Sequence, residues 1–144
     1  MMQLNSIGGQ LAELPGVHAM TDVTGFGLGG HLVEMCEASG ISATVIEQAL
    51  PLMDAEAVLA YIDKGCIPGG THRNFQSYGE KISALTDSQK AIICDPQTSG
   101  GLLLAIAPEA GKQVSGILST HGLYAAQIGA FTAPAPEAPL ITLG

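Results

Sequence analysis

An aspartate flanked by threonines stands at the head of a glycine-rich stretch, MTDVTGFGLGGHLVEM, over residues 20–35. Asp22 lies near the end of a predicted short strand over 17–23, and an amphipathic segment predicts a helix from Leu28. A carboxylate in this place is a hard oxygen ligand of the kind that Mg²⁺ prefers. The start of the helix adds positive potential that attracts phosphate oxygens. A second interpretation stays equally open from spacing alone, in which Asp22 or Thr24 only caps the helix.

The same glycines also match a dinucleotide-binding motif. Gly25, Gly27 and Gly30 satisfy G-x-G-x-x-G, and Glu47 ends the next predicted strand, as such a fold requires. However, Asp22 would repel a pyrophosphate, and the chain lacks the repeated strand–helix units of a doubly wound sheet. A non-catalytic Rossmann-type nucleotide-binding module that uses Gly25–Gly30 is therefore the alternative. An all-parallel sheet around these glycines would favour it, and antiparallel neighbours would count against it.

Two further segments combine glycines with polar side chains. PGGTHRN (68–74) contains the only arginine, Arg73, which can grip a phosphate but is more typical of a solvated loop. We expect a loop over 66–75, with Asn74 as a possible cap for a helix that starts at Phe75. DPQTSGG (95–101) can present hydrogen-bond donors to an anion, or form a tight turn closed by Asp95. A nucleophilic Ser99 is not supported by its surroundings.

Composition excludes several classes of function. The 144 residues are 47% hydrophobic and 12% charged, which is typical of a folded domain with an aliphatic core. The net charge of −8 leaves no basic stripe for nucleic acid and no basic helix for a membrane surface. No apolar run is long enough to span a membrane, and no signal peptide is recognisable. Three cysteines in no metal or disulfide spacing indicate reduced thiols in a cytoplasmic protein.

The periodicity predicts a single α+β domain over 1–144 with a mixed β-sheet packed against helices. His31 is expected to be a packed, hydrogen-bonded residue at the edge of an apolar helix face. The predicted helices span 3–14, 28–39, 54–64, 75–84, 87–93 and 108–121. The predicted strands span 17–23, 41–47, 102–107, 124–131 and 140–143.

Three segments in this order, MTDVTGFGLGGHLVEM, IPGGTHRNFQSYG and CDPQTSGGLLLAIAPEA, resemble the carboxyl-terminal domain of the selenophosphate synthetases (selenide, water dikinases). These belong to the wider group of AIR synthase-like ATP enzymes. The resemblance implies an AIR synthase-type fold and a reaction that turns ATP, selenide and water into selenophosphate, AMP and phosphate with Mg²⁺. It also implies that Asp22 binds Mg²⁺, because Asp22 matches the aspartate of the family's TDVTGFG motif.

Other residues match motif positions and are expected near the phosphates of ATP, without individual roles: Thr24, Gly25, Asn74, Asp95, Thr98 and Ser99. Two positions depart from the family. Gly29 replaces a bulky apolar residue, which predicts a looser helix start, and His72 stands where an acid is common.

The resemblance also implies that much of the enzyme lies elsewhere. The family's amino-terminal domain carries the reactive cysteine or selenocysteine, the essential lysine, further Mg²⁺-binding aspartates and most of a homodimer interface. Cys36, Cys66 and Cys94 do not lie in that motif, so no catalytic residue is expected in this chain. The chain begins inside a predicted helix, and we expect it to be a fragment that folds but is inactive alone.

Overall fold

The computed structural model describes residues 4–135 and 137–144, and helices and strands alternate irregularly along them. Three short 3-10 helices, Glu47–Ala49, Gly79–Lys81 and Pro108–Ala110, accompany the main elements. The helices are α1 (Ile7–Ala12), α2 (Gly27–Ser39), α3 (Ala55–Asp63), α4 (Gly69–Tyr78), α5 (Asp87–Ile93) and α6 (Gly111–Thr120). The strands are β1 (Val17–Asp22), β2 (Ser42–Val45), β3 (Leu102–Ile106), β4 (Gly129–Thr132) and β5 (Ile141–Leu143).

The strands form two small sheets with mixed pairing. β1 and β3 pair antiparallel, with Asp22 opposite Leu102. In the second sheet the central strand β2 pairs antiparallel with β4 and parallel with β5. The predicted α+β class with mixed pairing is thus confirmed, although the strands divide between two sheets. The strand before the glycines has an antiparallel neighbour, whereas a Rossmann fold requires parallel ones.

The β1–β3 sheet separates two hydrophobic clusters. Leu103 belongs to the larger cluster, whose buried members include Leu32 and Cys36 of α2. Leu104 and Ile106 pack instead against the smaller cluster formed with α1 and α6. Side chains alternate between the faces of a strand, so the apolar run of β3 serves both clusters. This two-sided burial fixes the end of β1, where Asp22 stands.

No helix in the described ranges is long and apolar enough to cross a membrane.

Local signals account for the ends of several elements. Gly40 ends α2 in the left-handed conformation, at φ 64°, as predicted for a glycine after a helix. Asp54 caps α3 by accepting a hydrogen bond from the Ala57 amide at 3.0 Å. Thr86 and Gln89 form a reciprocal capping box at the start of α5. These helices therefore begin or end within two residues of where the sequence predicts.

The prediction of a loop over 66–75 is wrong. α4 begins at Gly69, directly after Pro68, whose fixed φ suits the start of a helix. Glycine disfavours helix, but Gly70 lies so close to Pro96 that an added Cβ would come within 2.8 Å of its Cγ. Packing against that proline therefore outweighs propensity. The strand predicted over 124–131 is also too long, because only 129–132 pairs in the sheet.

Three glycines of the opening stretch allow α2 to approach its neighbours closely. Gly27 has a φ of +70°, and an added Cβ would lie 2.8 Å from the Asp95 carbonyl oxygen. A Cβ on Gly29 would lie 2.6 Å from Ile93 Cγ2. A Cβ on Gly30 would lie 2.9 Å from a ring carbon of Tyr78. The looser helix start expected from Gly29 is therefore wrong, because this part of α2 is tightly packed.

Gly27→Ala should destabilise the fold, since alanine must adopt a left-handed backbone and its methyl group meets carbonyl oxygens. We expect the free energy of unfolding to fall by about 2 kcal/mol or more, measured by urea denaturation. Gly116→Ala in α6 is the matched control, because nothing lies within 4 Å of its added Cβ. The control should gain up to about 1 kcal/mol. Equal effects of the two changes would contradict this account of Gly27.

Candidate functional site

Asp22 ends β1 with its side chain exposed to solvent. It borders an open pocket of about 430 Å³. Among the described residues, its carboxylate makes no hydrogen bond or ion pair. The other residues that line the pocket are Asn5, Gly8, Gly9, Met20, Thr21 and Leu102.

The capping interpretation of Asp22 and Thr24 is wrong. Phe26 holds the cap position of α2, and no side chain caps that helix. Thr24 instead uses its backbone carbonyl, which accepts hydrogen bonds from the Gly27 amide at 2.9 Å and the Gln97 amide at 3.0 Å. The Asp22 carboxylate is therefore free of the structural role that competed with metal binding.

The segment 95–101 lies alongside the end of β1. The Val23 amide donates to the Gly101 carbonyl oxygen at 2.9 Å, and the Gly100 amide donates to the Val23 carbonyl oxygen at 3.2 Å. An added Cβ on Gly100 would lie 2.7 Å from that Val23 oxygen, so a larger residue does not fit. The pairing of β1 with β3 thus continues into the two loops. It brings the TDVTGFG and DPQTSGG segments together.

Asn74 joins the third segment to the other two. Its Nδ2 donates one hydrogen bond to the Gly25 carbonyl oxygen at 2.8 Å and another to the Cys94 carbonyl oxygen at 2.9 Å. Asn74 is 8% exposed and lies within α4, so it does not begin a helix at Phe75 as predicted. Both amide protons are used on backbone carbonyls, and Asn74 therefore acts by holding two loops in place.

Asp95 is also held by neighbours from within these segments. Its Oδ2 accepts a hydrogen bond from Gln97 Nε2 at 2.8 Å, and its Oδ1 accepts one from Thr71 Oγ1 at 3.4 Å. Burial raises the pKa of Asp95, and the two hydrogen bonds offset only part of that rise. Thr71, at 2% exposed, links α4 to this loop. Thr71 and Gln97 both lie inside motifs quoted from the sequence, but neither is among the predicted site residues.

The remaining predicted site residues face solvent. Thr98 and Ser99 are exposed in the loop before β3, and His72 and Arg73 are exposed on α4. Gly25 is exposed as well. It differs from the packed glycines, because its φ is not positive and nothing lies within 4 Å of an added Cβ. No contact inside the described chain thus explains a glycine at position 25.

The two buried cysteines offer no nucleophile. Cys36 and Cys94 are buried, and Cys66 is exposed, with none in a disulfide. Burial raises the pKa of Cys36 to about 11 and also raises the pKa of Cys94. Such thiols stay protonated and unreactive at neutral pH. In the ranges 4–135 and 137–144, no three histidines, cysteines or acids cluster closely enough to hold a metal ion. A metal ion at Asp22 would thus need further ligands.

Comparison with known proteins agrees with the fold and the motifs. A profile of the family described as "AIR synthase related protein, C-terminal domain" matches residues 4–138. A protein named selenide, water dikinase from Aeromonas hydrophila subsp. hydrophila is 57% identical over 129 residues, which are 90% of this chain and 37% of that protein. The protein of the same name from Pasteurella multocida is 50% identical over 141 residues, which are 98% of this chain and 40% of that protein. The chain thus spans about two-fifths of the length of these relatives.

Two crystal structures of E. coli HypE, one described as a hydrogenase maturation protein, share the fold. Their TM-scores are 0.56 and 0.58, at 23% and 22% sequence identity. The similarity covers 94% and 95% of this chain, but only 33% and 34% of those chains. At this identity the likeness concerns the fold alone.

Asn74→Ala should leave the buried Cys94 carbonyl oxygen and the partly buried Gly25 carbonyl oxygen without their side-chain donor, and it should open a gap between three segments. We expect the free energy of unfolding to fall by about 2–3 kcal/mol in urea denaturation. Gln76→Ala, at an exposed position of the same helix, is the control and should change stability by less than about 0.5 kcal/mol. Similar losses in the two variants would mean that the bridging amide is not important for the fold.

Proposed function

The chain belongs to the AIR synthase-related proteins through their carboxyl-terminal domain, and from that premise we propose that it is the corresponding domain of a selenide, water dikinase. The full-length enzyme uses ATP, selenide and water to make selenophosphate, AMP and phosphate. The identity of 57% to a relative of that name supports this assignment. The hydrogen-bonded contact among the three motif segments is the structural observation that carries it.

In this proposal Asp22 supplies one oxygen ligand to Mg²⁺. Its residue type and surroundings fit that task, because the carboxylate is exposed beside an open pocket and no side chain competes for it. The bound ion would neutralise charge on the ATP phosphates. A single carboxylate binds Mg²⁺ weakly, so further ligands must come from the phosphates and from the amino-terminal domain. The chain alone is therefore expected to be inactive.

Three exposed groups of the TDVTGFG and DPQTSGG segments can serve the phosphates. The hydroxyl groups of Thr98 and Ser99 can donate hydrogen bonds to phosphate oxygens. Gly25 offers backbone that a ligand can approach closely, since no side chain covers it. Thr24, Asn74 and Asp95 act in our proposal by holding these groups in place.

The rival dinucleotide-binding module is disfavoured by two observations. β1 pairs antiparallel with β3, where a dinucleotide fold needs parallel neighbours. Gly27 and Gly30 are covered by α4, α5 and the following loop, so they cannot admit a pyrophosphate. A purely structural role for the chain leaves the free Asp22 carboxylate and the exposed Gly25 unexplained.

The remaining expectations concern the whole protein. Its homodimeric state and its division into an amino-terminal domain and a single domain over 1–144 are predictions that rest on the resemblance. The unpaired cysteines support a reducing, cytoplasmic setting.

Asp22→Asn in the full-length enzyme should keep the fold but weaken Mg²⁺ binding, because a neutral amide is a poorer ligand for a hard cation. Removing a residue that only hydrogen-bonds a metal ligand already lowers metal affinity by about 10–100-fold. Loss of a ligand itself should therefore raise the Mg²⁺ concentration for half-maximal ATP turnover at least about tenfold. Asp63→Asn, an exposed acid on α3, is the control and should leave that requirement unchanged. An unaltered Mg²⁺ requirement in Asp22→Asn would refute the metal assignment.

Gly25→Ala should separate function from folding. Its added methyl group meets nothing within 4 Å, so we expect stability to change by less than about 0.5 kcal/mol. In the full-length enzyme the methyl group would stand where ATP approaches, and the KM for ATP should rise at least about tenfold (about 1.4 kcal/mol). Gly116→Ala serves again as the control with unchanged kinetics. A normal KM in Gly25→Ala would remove Gly25 from the site.

A further inference from the structure

His31 is a buried polar residue of α2 that no step of the proposed function uses. Only 7% of it is exposed, and its ring lies near that of Phe26, with centroids 5.8 Å apart. Its Nε2 accepts a hydrogen bond from the Thr24 amide at 3.1 Å. The Thr24 hydroxyl oxygen lies 3.2 Å from the same nitrogen. The prediction of a packed, hydrogen-bonded histidine is confirmed.

The direction of this hydrogen bond defines the tautomer. A backbone amide can only donate, so Nε2 must present its lone pair and carry no proton. The neutral ring then carries its proton on Nδ1. That nitrogen lies 3.2 Å from Glu34 Oε2 without forming a hydrogen bond to it, and the Nδ1 atom has no hydrogen-bond partner in the described chain. The Glu34 side chain is 62% exposed and so has room to turn toward it.

His31 completes the hydrogen bonding of the peptide groups around Thr24. The Thr24 carbonyl oxygen is held by the amides of Gly27 and Gln97. The Thr24 amide has the His31 ring as its acceptor. Three hydrogen bonds thus fix a residue two positions after Asp22, and only one of them comes from a side chain. An apolar residue of similar size would pack beside Phe26 but would leave the amide without an acceptor.

We propose that His31 is a positioning residue, which holds Thr24 through Nε2 and thereby sets the direction in which Asp22 presents its carboxylate. This inference rests on the proposed function, because the carboxylate matters only if it binds Mg²⁺. It assigns a task to a side chain that does not itself reach the surface of the site. Preorganisation of this kind is needed because a metal ligand must be held by partners that lock its position.

Two variants of matched chemistry test the proposal in the full-length protein. In His31→Gln the side-chain oxygen reaches the place of Nε2 and can accept the Thr24 hydrogen bond. In His31→Asn the same carbonyl group is one methylene too short. We expect the Mg²⁺ concentration for half-maximal ATP turnover to rise about fivefold to tenfold in His31→Asn. His31→Gln should stay within about twofold of the unchanged protein.

Hydrogen–deuterium exchange provides a readout that is independent of activity. The Thr24 amide should be protected in the unchanged protein and in His31→Gln, and should exchange faster in His31→Asn. Equal Mg²⁺ requirements in the two variants, despite that difference in exchange, would overturn the positioning role and leave the proposed function intact. Equal exchange in all three proteins would overturn the hydrogen bond itself. Absence of Mg²⁺-dependent ATP turnover in the unchanged protein would contradict the proposed function and the positioning role together, while exchange would still report the hydrogen bond.

Discussion

The bridging amide of Asn74 is the interaction on which the candidate site depends. One NH₂ group binds the carbonyl oxygens of Gly25 and Cys94, which lie 49 and 20 residues away along the chain. A buried carbonyl without a donor is unfavourable by about 1–3 kcal/mol, so this donor stabilises a contact that backbone hydrogen bonds at Val23 and Thr24 also make. Asp22, Thr98 and Ser99 stand in the segments that this arrangement joins, although Asn74 makes no hydrogen bond to any of the three.

Close approach of backbones is the second requirement, and it explains the glycines after Asp22. Glycine costs entropy in an ordered backbone, but α2 cannot reach α4 and α5 with larger residues at Gly27, Gly29 and Gly30. The helix starts where these neighbours leave room for backbone only. Gly25 lies just before this contact and is exposed to solvent. Of the four glycines it is the one that no packing contact in the described chain explains. In our proposal a single short stretch therefore serves both packing and ligand approach.

The elements nearest Asp22 could be predicted from the sequence because their signals are local. β1, α2 and β3 follow from periodicity and from Gly40, and each matches the structure closely. The helix predicted over 75–84 begins too late, because Gly69 and Gly70 at the start of α4 are typical of a loop, and only the contact with Pro96 shows why they are helical. The bridging role of Asn74 and the contact between Thr71 and Asp95 join residues far apart in the chain. Residue types and spacing carry no information about such pairs.

The central claim is that this domain presents Asp22 to a metal-bound phosphate group on a surface made by three sequence segments. The most direct measurement is a crystal structure of the full-length protein with Mg²⁺ and a non-hydrolysable ATP analogue. Our account predicts an Asp22 carboxylate oxygen about 2.1 Å from Mg²⁺, with the phosphates beside Gly25, Thr98 and Ser99. A metal–phosphate group held wholly by residues outside this chain, with Asp22 still facing solvent, would contradict it.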